Sequence, residues 1–387
     1  MVENLSYYVT RVCIFLVAVA LVAGMAGCDG YTPPSEDLQI CDWYDLDAVR
    51  NNLAGNHILM NDLDSTTAGY MELASETANE GKGWQPIGSF IGSFDGQGYE
   101  IKDLFIHRPY EERVGLFSIV DKGGRIENIG MVNTTVTGLV LVGGLVGWNR
   151  GTVSNCDSSG NVAGDSGVGA LVGDNYGSVS NCYSSGNVTG DENVGGLVGC
   201  NAGGSVGNSH SSGSVTGNDC VGGLAGGNYD GSVSNSYSTA NVTGYSSVGG
   251  LVGENMLDDV SDSYSTGSVT GYSSVGGLVG ENKWRGTVSD SYSTGSVTGN
   301  SSVGGLVGWN EAMNEAIVSN SFWDIETSGQ ATSDGGTGKT TAEMQDIATF
   351  SGAEWNITAV GGLGERIPSY IWNIVNGQTY PFLSWEP

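Results

Sequence analysis

The chain repeats itself, and a repeat of this length leaves few folds open. Val142, Val168, Val194, Val221, Val248, Val275 and Val303 each begin VGGLVG or a near-copy, Val114 begins a shorter VGLFS, and successive copies stand 26 to 28 residues apart. A fixed period of roughly 20 to 50 residues marks stacked units, each unable to bury its apolar side alone. Three short β-type runs fill each period: VGGLVG, then a stretch such as GSVSNSYS, then NVTG or SVTG, with Gly, Asn and Ser between them. None has helical periodicity. Three strands per period, each stacked on its counterpart one period later, predict an all-β fold: a single-stranded parallel β-helix with coils of 26 to 28 residues. At about 4.8 Å per coil, eight coils span roughly 38 Å.

Stacking converts equivalent positions into columns along the axis. Asn149, Asn175, Asn201, Asn228, Asn255, Asn282 and Asn310 share one turn position. Stacked asparagines can bond amide to amide, and asparagine tolerates the left-handed backbone of a tight corner. Leu145, Leu171, Leu197, Leu224, Leu251, Leu278 and Leu306 form a second column, and Val153, Val179, Val206, Val233, Val260, Val288 and Val318 a third; these are the expected core. Solenoid ends expose unpaired strand edges and need covering. Residues 39–113 are expected to supply an N-terminal cap and irregular first coils, with an amphipathic helix over 45–53, ahead of repeats over 114–322. Residues 323–387 are expected to form a C-terminal cap in which Thr340-Thr341-Ala342-Glu343 is a capping box.

Before the repeats, residues 12–27 read VCIFLVAVALVAGMAG, short for a membrane span but suited to the core of a signal peptide over 1–27. It ends in Met25-Ala26-Gly27-Cys28, which resembles the lipobox of bacterial and some archaeal lipoproteins, so Cys28 is expected to carry the acyl chains, with 28–38 as a tether. The expected location is therefore outside the cell membrane, anchored to it by lipid, on the cell surface.

Charge narrows the partners. With 13 Lys+Arg against 42 Asp+Glu the net charge is −29, and no lysine or arginine occurs from Gly151 to Asn282. Nucleic acid and anionic headgroups are held by those side chains, so a nucleic-acid partner is excluded, while a protein or a glycan stays open.

Catalytic patterns are weak. GTGKTT at 336–341 lacks the first glycine of a phosphate loop, because Ser333 stands in that place. The three histidines, His57, His107 and His210, have no zinc-peptidase spacing. Glu254 and Glu281 share a column, as do Asp262 and Asp290; calcium would need six to eight oxygens, and solvated surface acids are the simpler reading, so no cofactor is assigned. Tyr183, His210, Tyr237, Tyr264, Tyr292 and Phe322 form an aromatic column that begins after Asp157. Facing outward it would be a platform for sugars or a protein; facing inward it would be core stacking. Cys156 and Cys182 are column neighbours, a candidate disulfide in an exported chain, whereas Cys200 and Cys220 lie at opposite ends of the VGGLVG run in different coils.

The units VGGLVGWN, VSNSYS and NVTG resemble the GLUG motif of bacterial and archaeal surface proteins, and the segments IGSFIGSFDGQGYEIKDLFI and SFWDIETSGQATSDGGTGKTTAEM are similar to those that flank such arrays. The resemblance implies cell-surface exposure and, by association with adhesins and some immunoglobulin-cleaving peptidases, attachment rather than a reaction. A non-catalytic, lipid-anchored adhesion or scaffold solenoid is the expected function, with a carbohydrate-binding or polysaccharide-active β-helix as the alternative.

Overall fold

A computed structural model describes residues 38–386. The candidate signal segment, Cys28 and nearly all of the tether lie outside the described residues. The fold is a parallel β-solenoid of about nine turns, one for each strand of a nine-stranded face running from Ile87–Phe90 to Val307–Asn310.

The five turns from Ser166 to Thr298 each carry five short strands where the sequence resolves three runs. In one turn these are Glu192–Gly195, Val198–Ala202, Ser205–Gly207, His210–Ser211 and Ser214–Thr216. The extra breaks have separate causes. VGGLVG folds sharply at its centre, so that Val194, Leu197 and Val198 all point into the core at zero exposure. The two arms then touch through backbone alone: a Cβ on Gly195 would lie 1.9 Å from the Val198 carbonyl oxygen, and one on Gly199 would lie 2.4 Å from the Val168 nitrogen. Only glycine fits so close an approach. The second break is a corner in the left-handed region, at Asn155, Asn181, Asn208, Asn235, Asp262, Asp290 and Asn320, with φ between 46° and 53°. Asn and Asp adopt that region at less cost than other side chains.

Registration between turns is strict. Val142 pairs with Val168, Val168 with Val194, Val194 with Val221, and Val221 with Val248. The leucine column is fully buried along its whole length, and the valine column likewise, except that Val318 at the end is only partly buried. Burying one such side chain contributes about 2 kcal/mol, repeated at every turn.

At the N-terminal end the core grows aromatic, with Trp43, Trp84, Phe90, Phe94 and Phe117 buried. A helix over Trp43–Ala48, capped by the Asp42 carboxylate, continues as a 3-10 turn over Val49–Asn51 and closes this end. At the other end Thr340 caps a short helix over Thr341–Met344 in a reciprocal capping box with Glu343. The three-stranded sheet formed by Ile357–Ala359, Trp372–Ile374 and Phe382–Leu383 does not sit on the end of the stack. Its residues pack against the aromatic column on the solenoid's flank.

Candidate functional site

The asparagine column lies inside the solenoid. From Asn149 to Asn282 each Nδ2 donates to the Oδ1 of the next asparagine, at 2.7 to 2.9 Å, ending on Asn310. All of these residues except Asn310 are fully buried. None has a left-handed backbone, contrary to the expectation for this column; they lie at or next to strand ends, and the corner conformation belongs to the Asn and Asp residues six to ten positions later. A buried amide satisfied on both sides fixes the register of its neighbours, because a slip of one residue would leave each one unpaired.

The left-handed corner decides the aromatic column. Strand alternation alone would place Tyr183 on the valine side, but the turn at Asn181 reverses it and the rings point outward. They stack face to face: Tyr183 on His210 at 5.2 Å, His210 on Tyr237 at 4.7 Å, Tyr237 on Tyr264 at 4.9 Å and Tyr264 on Tyr292 at 5.0 Å, all within 8° of parallel. The ring faces are therefore occupied by one another, and only their edges face away from the coil.

Those edges are largely covered, so the column as a whole is not an open platform. Tyr264, Tyr292 and Phe322 are buried beneath the chain's own C-terminal segment. Three indoles hold that segment in place. Trp355 Nε1 donates to the Asn320 carbonyl, Trp385 Nε1 to the Asn235 carbonyl and Trp372 Nε1 to the Asp262 carboxylate, at 2.7, 3.1 and 3.3 Å. Three hydroxyls add to this: Tyr292 donates to the Pro381 carbonyl, Tyr264 to Glu386 and Tyr380 to Asp324. Burial pushes Asp262 up to about 6, helped by neighbouring Asp290, and pushes Glu386 up to about 7 against the pull of its hydrogen bonds. Sequence reasoning missed these partners because they lie outside the repeat.

The acidic column differs from the solvated reading. Glu254 and Glu281 are register neighbours, and Lys283 bridges them, its Nζ 3.0 Å from Glu254 and in contact with Glu281. Burial works against the ammonium, but the two carboxylates hold its proton above the usual lysine range. The Trp309 ring lies 5.6 Å from the same Nζ. The lysine fills the place a cation would take. Among the described residues, no group of three or more His, Cys, Asp or Glu could hold a metal ion.

Cys156 and Cys182 are free thiols, which corrects the disulfide expectation. In-register neighbours keep parallel Cα–Cβ vectors about 4.8 Å apart, beyond the separation of about 3.8 Å that a bridge prefers. Each thiol instead donates to the carbonyl two residues earlier, Ser154 at 3.1 Å and Ser180 at 3.2 Å. The serines of the same column do likewise, from Ser209 to Ser321. Cys200 and Cys220 are also free; burial pushes both thiols up, with Asp174 adding at Cys200 and Glu254 at Cys220. Thiols held in this state are poor nucleophiles.

At 336–341, Thr337–Lys339 forms a strand beside Phe322–Asp324 that leads into the capping box, not a phosphate loop. No helix among the described residues is long and apolar enough to cross a membrane.

Comparison with known proteins follows the repeats. The family model described as the GLUG motif matches residues 138–163, 164–189, 190–216, 217–243, 244–270 and 271–298. Halomucin of Haloquadratum walsbyi is 33% identical over 147 residues, which is 35% of this chain and 2% of that protein. A provisionally named Gly-rich membrane protein of Evansella cellulosilytica is 33% identical over 169 residues, 40% of this chain and 19% of that protein. The chain thus spans under a fifth of the length of either relative. A crystal structure of a provisionally named immunoglobulin A1 protease from Bacteroides ovatus superposes with a TM-score of 0.49 at 20% identity, covering 90% of this chain and 92% of that one. Residues 138–298 carry six consecutive GLUG motifs, built as successive turns of one parallel β-solenoid.

Proposed function

We propose that the chain is an exported, lipid-anchored solenoid that acts on the cell surface as a non-catalytic scaffold or adhesion module. The carrying observation is the uninterrupted in-register stack of GLUG turns, a rod whose repeated geometry is spent on self-packing. Its inward columns are leucine, valine and paired asparagine, and most of its outward aromatic column is closed by its own tail. The names of the relatives, a halomucin and a membrane protein, support a surface or membrane setting. Lipidation at Cys28 supplies the attachment, since two or more buried acyl chains hold a protein on a bilayer where one does not.

Two experiments test this reading. Protease added to intact cells should degrade the chain as completely as in lysates; protection in intact cells with loss in lysates would refute surface display. Metabolic labelling with an alkyne fatty acid should mark the wild type and fail with Cys28→Ser, and equal labelling of both would refute the anchor.

A further inference from the structure

The tail leaves one stretch of the aromatic column uncovered. Trp385 lies against His210 at 6.2 Å and Tyr237 at 5.8 Å. Toward the N-terminal turns, next to it, is a cleft of about 280 Å³ lined by Asn181, Cys182, Tyr183, Asn208, His210 and Trp385. Tyr183 is 42% exposed; one ring face stacks on His210 and the other is turned toward Asp157 in the preceding turn, so the ring borders the cleft by its edge. Asn181 and Asn208 stand exposed at their left-handed corners, with φ of 53° and 49°. Among the described residues neither side-chain amide has a hydrogen-bond partner, unlike Asn155, which donates to Asn128.

Further along, the same column shows what such a place accepts. Trp372 lies across Tyr264 and Tyr292 at 6.1 and 5.8 Å, while its N–H reaches Asp262. Asp262 holds the corner position that Asn208 and Asn181 hold in earlier turns. A flat, partly apolar group with a polar edge is therefore seated by the column and its corner together.

We propose that the uncovered cleft is a binding subsite for a neutral sugar ring. The C–H face of a pyranose would rest on Trp385 and against the edge of Tyr183, and its hydroxyls would meet the Asn181 and Asn208 amides, each of which offers donors and an acceptor. The cleft's size suits one small ring rather than a larger ligand, whose pockets run from about 300 Å³ upward. Charge selects against anions: the chain carries −29, with no lysine or arginine from Gly151 to Asn282. Burial lowers the basicity of His210, so the imidazole adds no positive charge at neutral pH. An indole from another protein would use a single acceptor and leave the amide donors idle. The proposal gives a ligand class to the surface-binding reading above and rests on that reading only for its setting.

The test uses the full-length chain in a non-glycosidic detergent, on an array of neutral hexose and N-acetylhexosamine oligosaccharides, with affinities measured by calorimetry. Tyr183→Ala, and the double change Asn181→Gly with Asn208→Gly, should each weaken binding by about tenfold or more. Glycine keeps the left-handed corner, so the double variant removes the amides without straining the coil. Tyr245→Ala, at an exposed tyrosine elsewhere, should leave affinity unchanged. Binding to no neutral glycan, binding only to sulfated or sialylated ones, or a bound glycan insensitive to both changes would overturn the proposal. So would competition by a synthetic peptide copying residues 379–386 where free sugars fail to compete. None of these outcomes affects the whole-cell protease result, so the two readings fail separately.

Discussion

Replacing Asn228 by alanine removes one rung from the buried amide ladder, and the structure sets the size of the effect. Asn228 is fully buried; its Oδ1 accepts from Asn201 Nδ2 and its Nδ2 donates to Asn255 Oδ1, both at 2.7 Å. The truncation deletes two hydrogen bonds, each contributing about 1 kcal/mol net. Asn201 Nδ2 keeps the Gly204 and Ser232 carbonyls, at 3.1 and 3.3 Å, but Asn255 Oδ1 is left buried with no donor. That orphan adds roughly another 1 to 2 kcal/mol, for a total of about 3 kcal/mol. Solenoid turns open locally, so hydrogen exchange followed by mass spectrometry is the appropriate assay. Amides of the turns flanking residue 228 should exchange about a hundredfold faster, at roughly 1.4 kcal/mol per factor of ten, while those near Trp43 stay unchanged. Asn187→Ala, at an exposed residue with one 3.1 Å bond to Asn161, should change exchange by less than about 0.5 kcal/mol. Equal effects at Asn228 and Asn187 would refute the claim that the ladder holds the turns in register.

Other consequences are as direct. Lys283→Met should destabilise the chain by about 3 kcal/mol in urea unfolding, because it leaves two register-neighbour carboxylates facing each other, and adding Glu254→Gln should recover most of that loss; no recovery would refute the bridging role. Trp372→Ala removes a fully buried ring by which the tail packs on the column and should weaken docking by about 3 to 5 kcal/mol, seen as rapid proteolysis within 356–386 while the repeats stay intact; unchanged proteolysis would refute the docking. Asp262, which faces Asp290 and the Trp372 indole, and Glu386, which faces the Tyr264 hydroxyl and Arg366, hold their protons more tightly when docked than when free. Docking is therefore tightest below about pH 4, where the free carboxyls are protonated too, and this contribution is lost as pH rises through about 6 and about 7, by at most about 3 kcal/mol per group. Protection factors for residues 372–386, corrected for intrinsic exchange, should be higher at pH 5 than at pH 8; the reverse order would refute the assignment.

The stacked core was legible because in-register stacking turns sequence spacing into spatial proximity. The asparagine, leucine and valine columns could be written down from the period alone, and so could the aromatic column and its break at Asp157. What the period could not carry is anything that departs from it. The division of VGGLVG into two arms depends on the close approach of its glycines to the backbone of other turns, such as Gly199 against Val168. The side on which Tyr183 lies depends on one left-handed residue, Asn181. Trp372 and Trp385 reach back 110 and 150 residues to Asp262 and Asn235, from a segment with no repeat of its own. Lys283 likewise occurs once, where Met256 stands one turn earlier. The disulfide expectation failed because shared register was taken for a bonding geometry, although parallel side-chain vectors keep the two sulfurs on their own carbonyls.

The central claim, that these turns stack in strict register, can be measured as one distance. Thr189, Thr216, Thr243, Thr270 and Thr298 are exposed and pair in succession along one ladder. Spin labels on cysteines placed at 189 and 298 are four steps apart, so pulsed dipolar spectroscopy should give one narrow distribution centred near 19 Å, widened by the label linkers. A broad distribution, or a peak beyond about 30 Å, would contradict the solenoid itself.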